Sequence, residues 1–106
     1  MGGASSGQVK IEFARRALRE ILREARWWVE NRPDAPLLFE EELKEALEKI
    51  RKAPEAPKVY RVKRGRATRR VLMKTTCCHV YYRVENPNLV LVQCVWGAPR
   101  GKQPKP

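Results

Sequence analysis

The chain has 106 residues, which is enough for one compact domain whose core needs neither a disulfide nor a metal to fold. Its formal net charge of +11 is concentrated in one half: residues 54–106 carry 12 Lys and Arg against two Asp and Glu, whereas residues 1–53 carry 11 against 10. Such a polarised charge favours a nucleic acid, a ribosome or an acidic protein segment as partner. No run of about 18 apolar residues occurs, so we expect no membrane-spanning helix.

The first half of the chain predicts a short strand and two helices. Residues 1–8 lack the apolar segment of a signal peptide, and we interpret them as a flexible lead. Residues 9–13 alternate apolar and charged side chains, which predicts a half-buried edge strand. Apolar residues then recur every three or four positions up to Val29, which predicts an amphipathic helix with an arginine-rich outer face. Pro33 ends this helix, and Asp34 is the expected N-cap of the next. We expect the helical hairpin to pack on the sheet through Leu18, Ile21, Leu22, Leu43, Leu47 and Ile50.

The second half of the chain predicts a sheet. Four strand-like runs follow residue 57, separated by turn residues such as Gly65 and the ENPN segment at 85–88. They predict an antiparallel meander, and the continuous apolar character of residues 89–96 favours an interior strand. The expected fold class is therefore α+β, with an N-terminal strand and a helical hairpin packed on one face of a twisted antiparallel sheet. We expect a single domain over residues 9–100 and a basic, Pro-rich tail over 101–106.

Residues 69–84, RRVLMKTTCCHVYYRV, alternate on both sides of a short polar turn. Because successive side chains of a strand point to opposite faces of a sheet, one face is expected to be apolar and to join the core. That face carries Val71, Met73, Val80, Tyr82 and Val84. The other face is rich in basic and ring groups and is the candidate working surface; it carries Arg70, Leu72, Lys74, His79, Tyr81 and Arg83.

The three cysteines are an odd number, and their spacing fits neither a CxxC pair nor a zinc site. This pattern is typical of a reducing compartment, so we expect a cytoplasmic protein. No activating base stands at a spacing that would make Cys77, Cys78 or Cys94 a nucleophile. Only Glu85 brings a carboxylate near the candidate surface, so we expect no metal and no cofactor.

Residues 9–100 resemble the RelE/ParE family of type II toxin–antitoxin toxins. The resemblance rests on the order and spacing of four segments, WWVENRPDAP, FEEELKEALEKIRKAPE, RRVLMKTTCCHVYYRV and VLVQCVWGAPRGKQP. It implies a growth-inhibiting toxin that is neutralised by a cognate antitoxin. From the net charge of +11 we expect the antitoxin to cover the basic face with an acidic or amphipathic segment. RelE-like members cut messenger RNA on the ribosome, whereas ParE-like members poison DNA gyrase.

The resemblance also assigns site residues. A RelE-like nuclease would use Arg70, Lys74, His79, Tyr81 and Arg100 for catalysis, with His79 standing where RelE has an arginine. Two departures make the chain closer to ParE: Leu72 occupies a position where RelE has a second lysine, and no tyrosine follows Arg100. For binding to a target we assign Arg61, Lys63, Arg83, Arg100 and Lys102.

Three functions follow, and the sequence leaves them open. The first is a toxin that poisons gyrase, the second is a metal-independent, ribosome-dependent ribonuclease, and the third is a non-toxic basic nucleic-acid-binding module. Whether the protein is an enzyme therefore remains open as well. His79 is either a general base or an ordinary strand histidine, and Tyr81 either stacks on bases or fills space.

Overall fold

The computed structural model describes residues 9–97. The predicted lead over residues 1–8 and the tail over 101–106 lie outside the described residues, as do Arg100 and Lys102. Within the described range, the elements in chain order are β1 (Lys10–Phe13), α1 (Arg15–Asn31), α2 (Leu38–Lys52), β2 (Val59–Lys63), β3 (Arg66–Met73), β4 (Cys78–Asn86) and β5 (Leu89–Gly97).

The strands form one sheet in the order β1-β5-β4-β3-β2. The antiparallel meander expected for the last four strands is confirmed, and β5 lies inside the sheet between β1 and β4. The edge strand β1 pairs with β5 in parallel, with Phe13 opposite Val92, so the sheet is mixed. The two helices pack on one face of this sheet, which confirms the predicted α+β class. Neither helix among residues 9–97 is long and apolar enough to cross a membrane.

The core lies between the helices and the sheet face that was predicted to be apolar. Val80 and Tyr82 of β4 are fully buried, and Met73 of β3 is nearly so. The phenol of Tyr82 donates a hydrogen bond to the carbonyl oxygen of Pro54 at 2.7 Å, which satisfies its polar end. Burial raises the pKa of Tyr82 to about 12, although the positive charge of nearby Arg69 acts to lower it. Tyr82 therefore stays protonated at neutral pH.

Helix α1 faces the sheet through a different side from the one we expected. Leu18 and Leu22 are 48% and 70% exposed, so their assignment to the core is wrong. Ala17, Glu20 and Trp28 are buried instead. The apolar positions of α1 cover a wide arc, and the part of it that faces the sheet contains the fully buried Ala17, while Leu18 and Leu22 turn outward. The remaining expected positions do join the core: Leu43 and Ile50 are buried, and Ile21 and Leu47 pack against the cluster.

The carboxylate of Glu20 holds α1 against β5. One oxygen accepts a hydrogen bond from the backbone N–H of Val95 at 2.8 Å, and the other accepts one from Nε of Arg16 at 2.8 Å. Strand β1 ends opposite Val92, so beyond that point no strand of the described residues covers this edge of β5. Glu20 therefore supplies the hydrogen-bond acceptor that a neighbouring strand would otherwise provide, and the buried backbone N–H of Val95 is satisfied.

The start of α2 also differs from the prediction. The N-cap is Leu37, which makes no side-chain capping hydrogen bond, so the assignment of Asp34 as N-cap is wrong. Two backbone turns intervene, with Ala35 N–H bonded to the carbonyl of Arg32 and Leu38 N–H bonded to the carbonyl of Ala35. These turns delay the helix by three residues and leave Asp34 exposed in the connection.

Glu42 of α2 anchors the turn between β3 and β4. Its carboxylate accepts hydrogen bonds from the backbone N–H groups of Thr75 and Thr76, at 2.8 and 2.9 Å, and from the Thr76 hydroxyl at 2.9 Å. Partial burial works to raise the pKa of Glu42, but the hydrogen bonds from Thr76 and Thr75 outweigh it and hold the pKa below its ordinary value. The turn is thus tied to the helical layer.

The packing of α1 and α2 predicts unequal costs for two similar truncations. Ile50→Ala should lower the free energy of unfolding by about 2–5 kcal/mol, because Ile50 is fully buried. Leu22→Ala should change it by no more than about 0.5 kcal/mol, because most of that side chain is in solvent. Urea titration of both variants measures the difference. Equal costs for the two substitutions would contradict the orientation of α1.

Candidate functional site

The sheet face that points away from the helices, called here the open face, carries the predicted working residues. The register places Arg70 opposite Tyr81 and Leu72 opposite His79 on adjacent strands. Arg70 and Leu72 are exposed, while His79 and Tyr81 are partly buried, so none of the four belongs to the core. The predicted separation of the two faces is therefore confirmed for β3 and β4.

A cavity of about 770 Å³ opens on this face, and we call it the cationic trough. Its walls come from α1 and from strands β2 to β5, with the β2–β3 hairpin along one side. Six of its lining residues are cationic, and none of those described is a carboxylate. The lining consists of Arg16, Tyr60, Arg61, Lys63, Arg64, Arg66, Thr68, Tyr81, Arg83, Gln93, Cys94 and Trp96.

The hairpin between β2 and β3 concentrates charge at one end of the trough. Arg64 and Gly65 form its two-residue turn, with φ of 54° and 76°, and two successive positive φ values are the signature of a type I′ turn. This backbone conformation is unstrained for Gly65 and costs about 1–2 kcal/mol for a residue such as Arg64. The turn places Lys63 and Arg66 on either side of Arg64 along the same wall.

An irregular register in β2 adds an aromatic ring to this wall. Pairing shifts between Val59 and Arg61, so Tyr60 and Arg61 both line the trough although they are neighbours in the chain. The rings of Tyr60 and Tyr81 meet edge to face with centroids 5.3 Å apart. Arg70 lies over the Tyr60 ring at 4.3 Å and reaches the Tyr81 hydroxyl at 3.5 Å. Arg70 therefore packs against two tyrosines.

The floor of the trough is polar and includes a thiol. The hydroxyl of Thr68 donates a hydrogen bond to Oε1 of Gln93 at 3.2 Å. Burial raises the pKa of the Cys94 thiol, although the Arg16 guanidinium works to lower it, so the thiol stays protonated. Cys94 accordingly lacks the thiolate that a nucleophile needs. Trp96 stands beside it on β5 with 57% of its surface exposed.

The structure brings together only part of the predicted catalytic set. His79 lies next to Tyr81, with ring centroids 5.9 Å apart, and Tyr81 contacts Arg70. Lys74 lies outside the trough, in the turn after β3, and borders a small cavity with Leu72 and with Glu42, Glu45 and Lys49 of α2. Of the predicted target-binding residues, Arg61, Lys63 and Arg83 all line the trough.

His79 is held neutral by its surroundings. Burial lowers the pKa of His79, and the nearby positive charge of Arg70 lowers it further. A neutral imidazole can accept a proton, which is the requirement for a general base. No set of three or more His, Cys, Asp or Glu side chains in residues 9–97 is arranged to hold a metal ion.

Several trough residues escaped the sequence reasoning. Arg16 lies on α1, and nothing in the chain signals that it reaches the sheet face beside Cys94. Trp96 was part of an apolar run and gave no sign of being exposed. Arg64 and Arg66 flank Gly65, which did signal a turn, so their place at a hairpin tip could have been inferred. Gln93 lines the trough because the β4–β5 register shifts beside Tyr81.

The fold and the open face define an α+β domain with one covered and one cationic sheet face. The family model for the ParE toxin of type II toxin–antitoxin systems, parDE, matches residues 11–100, and the chain therefore belongs to the ParE toxin family. A solved chain titled "Chromosomal ParDE TA system from P. aeruginosa" has a TM-score of 0.70 to this chain, covering 88% of it and 99% of its own length at 10% identity. At that identity the likeness shows the fold alone. No curated protein has a significantly similar sequence.

The positive charge of Arg70 near His79 predicts a measurable titration. The pKa of the single histidine should lie below the ordinary value of 6.5, and Arg70→Gln should raise it by removing a neighbouring positive charge. Arg23→Gln, on the exposed face of α1, is the matched control and should leave the pKa unchanged. NMR titration of the imidazole measures all three. A pKa above 6.5 in the unaltered protein, or equal effects of the two substitutions, would contradict this geometry.

Proposed function

We propose that this ParE-family toxin stops growth by poisoning DNA gyrase and that the cationic trough is part of the surface that engages the target. Membership of the family establishes a toxin with a cognate antitoxin. The choice of gyrase rests on one observation: the trough concentrates binding groups, whereas of the described groups that a nuclease would use, Arg70, Lys74, His79 and Tyr81, only Tyr81 lines it. Six cations and three aromatic rings line the trough, whereas Lys74 lies outside it beside α2.

Ribonuclease chemistry requires a base and charge-stabilising groups around a single phosphate, all within hydrogen-bonding reach of the reacting atoms. On this sheet the residue opposite His79 is Leu72, which can neither donate a hydrogen bond nor stabilise an anion. Arg70 packs over Tyr60 and contacts the Tyr81 hydroxyl. These contacts support binding rather than cleavage as the work of the open face.

The ribonuclease remains the second candidate because of one cluster. Tyr81 contacts both His79 and Arg70, and the pKa of His79 is shifted in the direction that keeps a base available. A messenger RNA whose 2′-hydroxyl lay against His79 would have Arg70 nearby to stabilise its phosphate. This reading gives catalytic roles to Arg70, His79 and Tyr81 and leaves Lys74 without one.

For the antitoxin we propose an acidic or amphipathic segment that covers the open face. Arg61, Lys63 and Arg64 have no carboxylate within ion-pair distance among residues 9–97. An acidic segment would supply those partners and speed the encounter, while the exposed rings would provide apolar anchors. Such a toxin would meet both gyrase and its antitoxin in the cytoplasm, and its reduced cysteines are consistent with that compartment.

Purified gyrase tests the proposal directly. Incubated with gyrase, ATP and supercoiled plasmid, the protein should accumulate DNA breaks that appear once gyrase is digested. The double substitution Arg61→Gln with Lys63→Gln should raise the protein concentration needed for half-maximal cleavage by about tenfold, because two exposed charges of the trough are lost.

The control for that assay is Arg19→Gln with Arg23→Gln. It removes the same charge from the exposed side of α1, outside the trough, and should have little effect. Absence of breaks at any concentration of the unaltered protein would reject gyrase as the target. Equal losses in the two double variants would reject the trough as the binding surface.

A further inference from the structure

We propose that the cationic trough binds single-stranded nucleic acid, with phosphates held by the β2–β3 hairpin and bases stacked on Trp96 and Tyr60. This activity belongs to the chain alone and needs no gyrase, so it goes beyond the function proposed above. The site is formed by residues of four adjacent strands and of the β2–β3 turn, together with Arg16 of α1.

The hairpin wall has the charge that a phosphate backbone requires. Glu85 pairs with Arg83 at 2.7 Å and approaches Arg66 at 4.0 Å, so the charges of those two arginines are partly neutralised. Arg61, Lys63 and Arg64 have no carboxylate within ion-pair distance among residues 9–97. Three unneutralised cations along one wall attract a chain of regularly spaced negative charges.

Exposed rings within the trough provide the second requirement. Trp96 is 57% exposed and Tyr60 is 44% exposed, and each lines the cavity. Rings left in solvent on a sheet face are the platforms on which sheet proteins stack unpaired bases. The guanidinium of Arg70 lies over the Tyr60 ring at 4.3 Å and that of Arg61 at 5.7 Å, while the edge-to-face contact with Tyr81 fixes the orientation of the ring. The Tyr60 ring is therefore positioned before any ligand arrives.

The dimensions and floor of the trough favour an unpaired strand. From β2 to β5 the site spans three strand spacings, which is about 14 Å. In a duplex the faces of the bases are stacked on one another and cannot reach Trp96 or Tyr60, whereas a single strand can splay its bases onto them. The amide oxygen of Gln93 accepts a hydrogen bond from Thr68, so within residues 9–97 its amide N–H groups can donate to a base edge.

An acidic peptide is the competing occupant, and it would use only part of the site. A purely acidic peptide would pair its carboxylates with Arg61, Lys63 and Arg64 but has no group that packs on the rings, unlike the proposed antitoxin segment, whose apolar residues would contact them. The combination of cations on one wall and exposed rings in the same cavity is what favours nucleic acid.

Fluorescence anisotropy of the purified full chain tests the proposal, with labelled dT12, labelled U12 and a labelled 12-base-pair duplex as probes. We expect both single strands to bind more tightly than the duplex, and comparison of dT12 with U12 decides between DNA and RNA. Trp96→Ala should weaken single-strand binding by about tenfold through the loss of stacking on one base. Lys63→Gln should weaken it and reduce the slope of log affinity against log salt by about 0.7, the value for one phosphate contact on a single strand.

The matched controls lie on α1. Leu22→Ala removes an exposed apolar side chain, and Arg23→Gln removes an exposed charge, and neither should alter the affinity or the salt slope. Thermal melting of every variant verifies that it is folded. Tighter binding of the duplex would overturn the proposal. So would a Trp96→Ala effect no larger than that of Leu22→Ala, or displacement of dT12 by a poly-Glu peptide whose own binding is unaffected by Trp96→Ala.

The outcome is separable from that of the gyrase assay. Single-strand binding without gyrase-dependent breaks would support this site and reject gyrase as the target. Breaks without single-strand binding would support gyrase and overturn the inference made here.

Discussion

The fold depends on the fact that the helices cover only one face of the sheet. Along β4, Val80 and Tyr82 point into the core, and the alternate residues His79, Tyr81 and Arg83 are left on the open face. Polar contacts hold the helical layer in place: Glu20 bonds the backbone of Val95, and Glu42 bonds the β3–β4 turn. Each of these carboxylates satisfies backbone donors that no strand partner reaches, so the two layers are joined by hydrogen bonds as well as by apolar packing. Because these contacts lie on the helix side or at the end of the sheet, the open face is free to vary its charge and its rings without loss of the core.

That separation explains why the open face can be so strongly basic. Charges crowded into the trough repel one another and would be costly if they were buried, but there they remain in contact with water. The positive φ of Arg64 adds a local cost at the hairpin tip, where glycine would be unstrained. A surface that keeps its cations together despite their repulsion and the strain at Arg64 is suited to binding a polyanion. The position of Lys74 beside α2 gives little support to a nuclease centre.

Much of the fold could be predicted because period-two alternation determines which strand residues are buried. The orientation of α1 could not be predicted, because its apolar positions span a wide arc and both Leu18 and Ala17 are compatible with a core-facing stripe. The hydrogen bond between Glu20 and Val95 forms only in the observed orientation of α1, and it joins residues 75 positions apart in sequence. The trough was predicted in part, through Arg61, Lys63, Arg83 and Tyr81. Its remaining residues required knowledge of the β2 bulge, of the β5 register and of the reach of Arg16.

We propose that the open face binds its target and does not cut RNA. Sequencing of transcript 5′ ends after induced expression in a bacterium tests it most directly, with the His79→Ala variant alongside. We predict no discrete, codon-positioned cuts with either protein, because Leu72 is the residue opposite His79 and Lys74 borders a separate cavity with α2. Discrete cuts that appear with the unaltered protein and vanish in the His79→Ala variant would contradict the account and establish a ribonuclease.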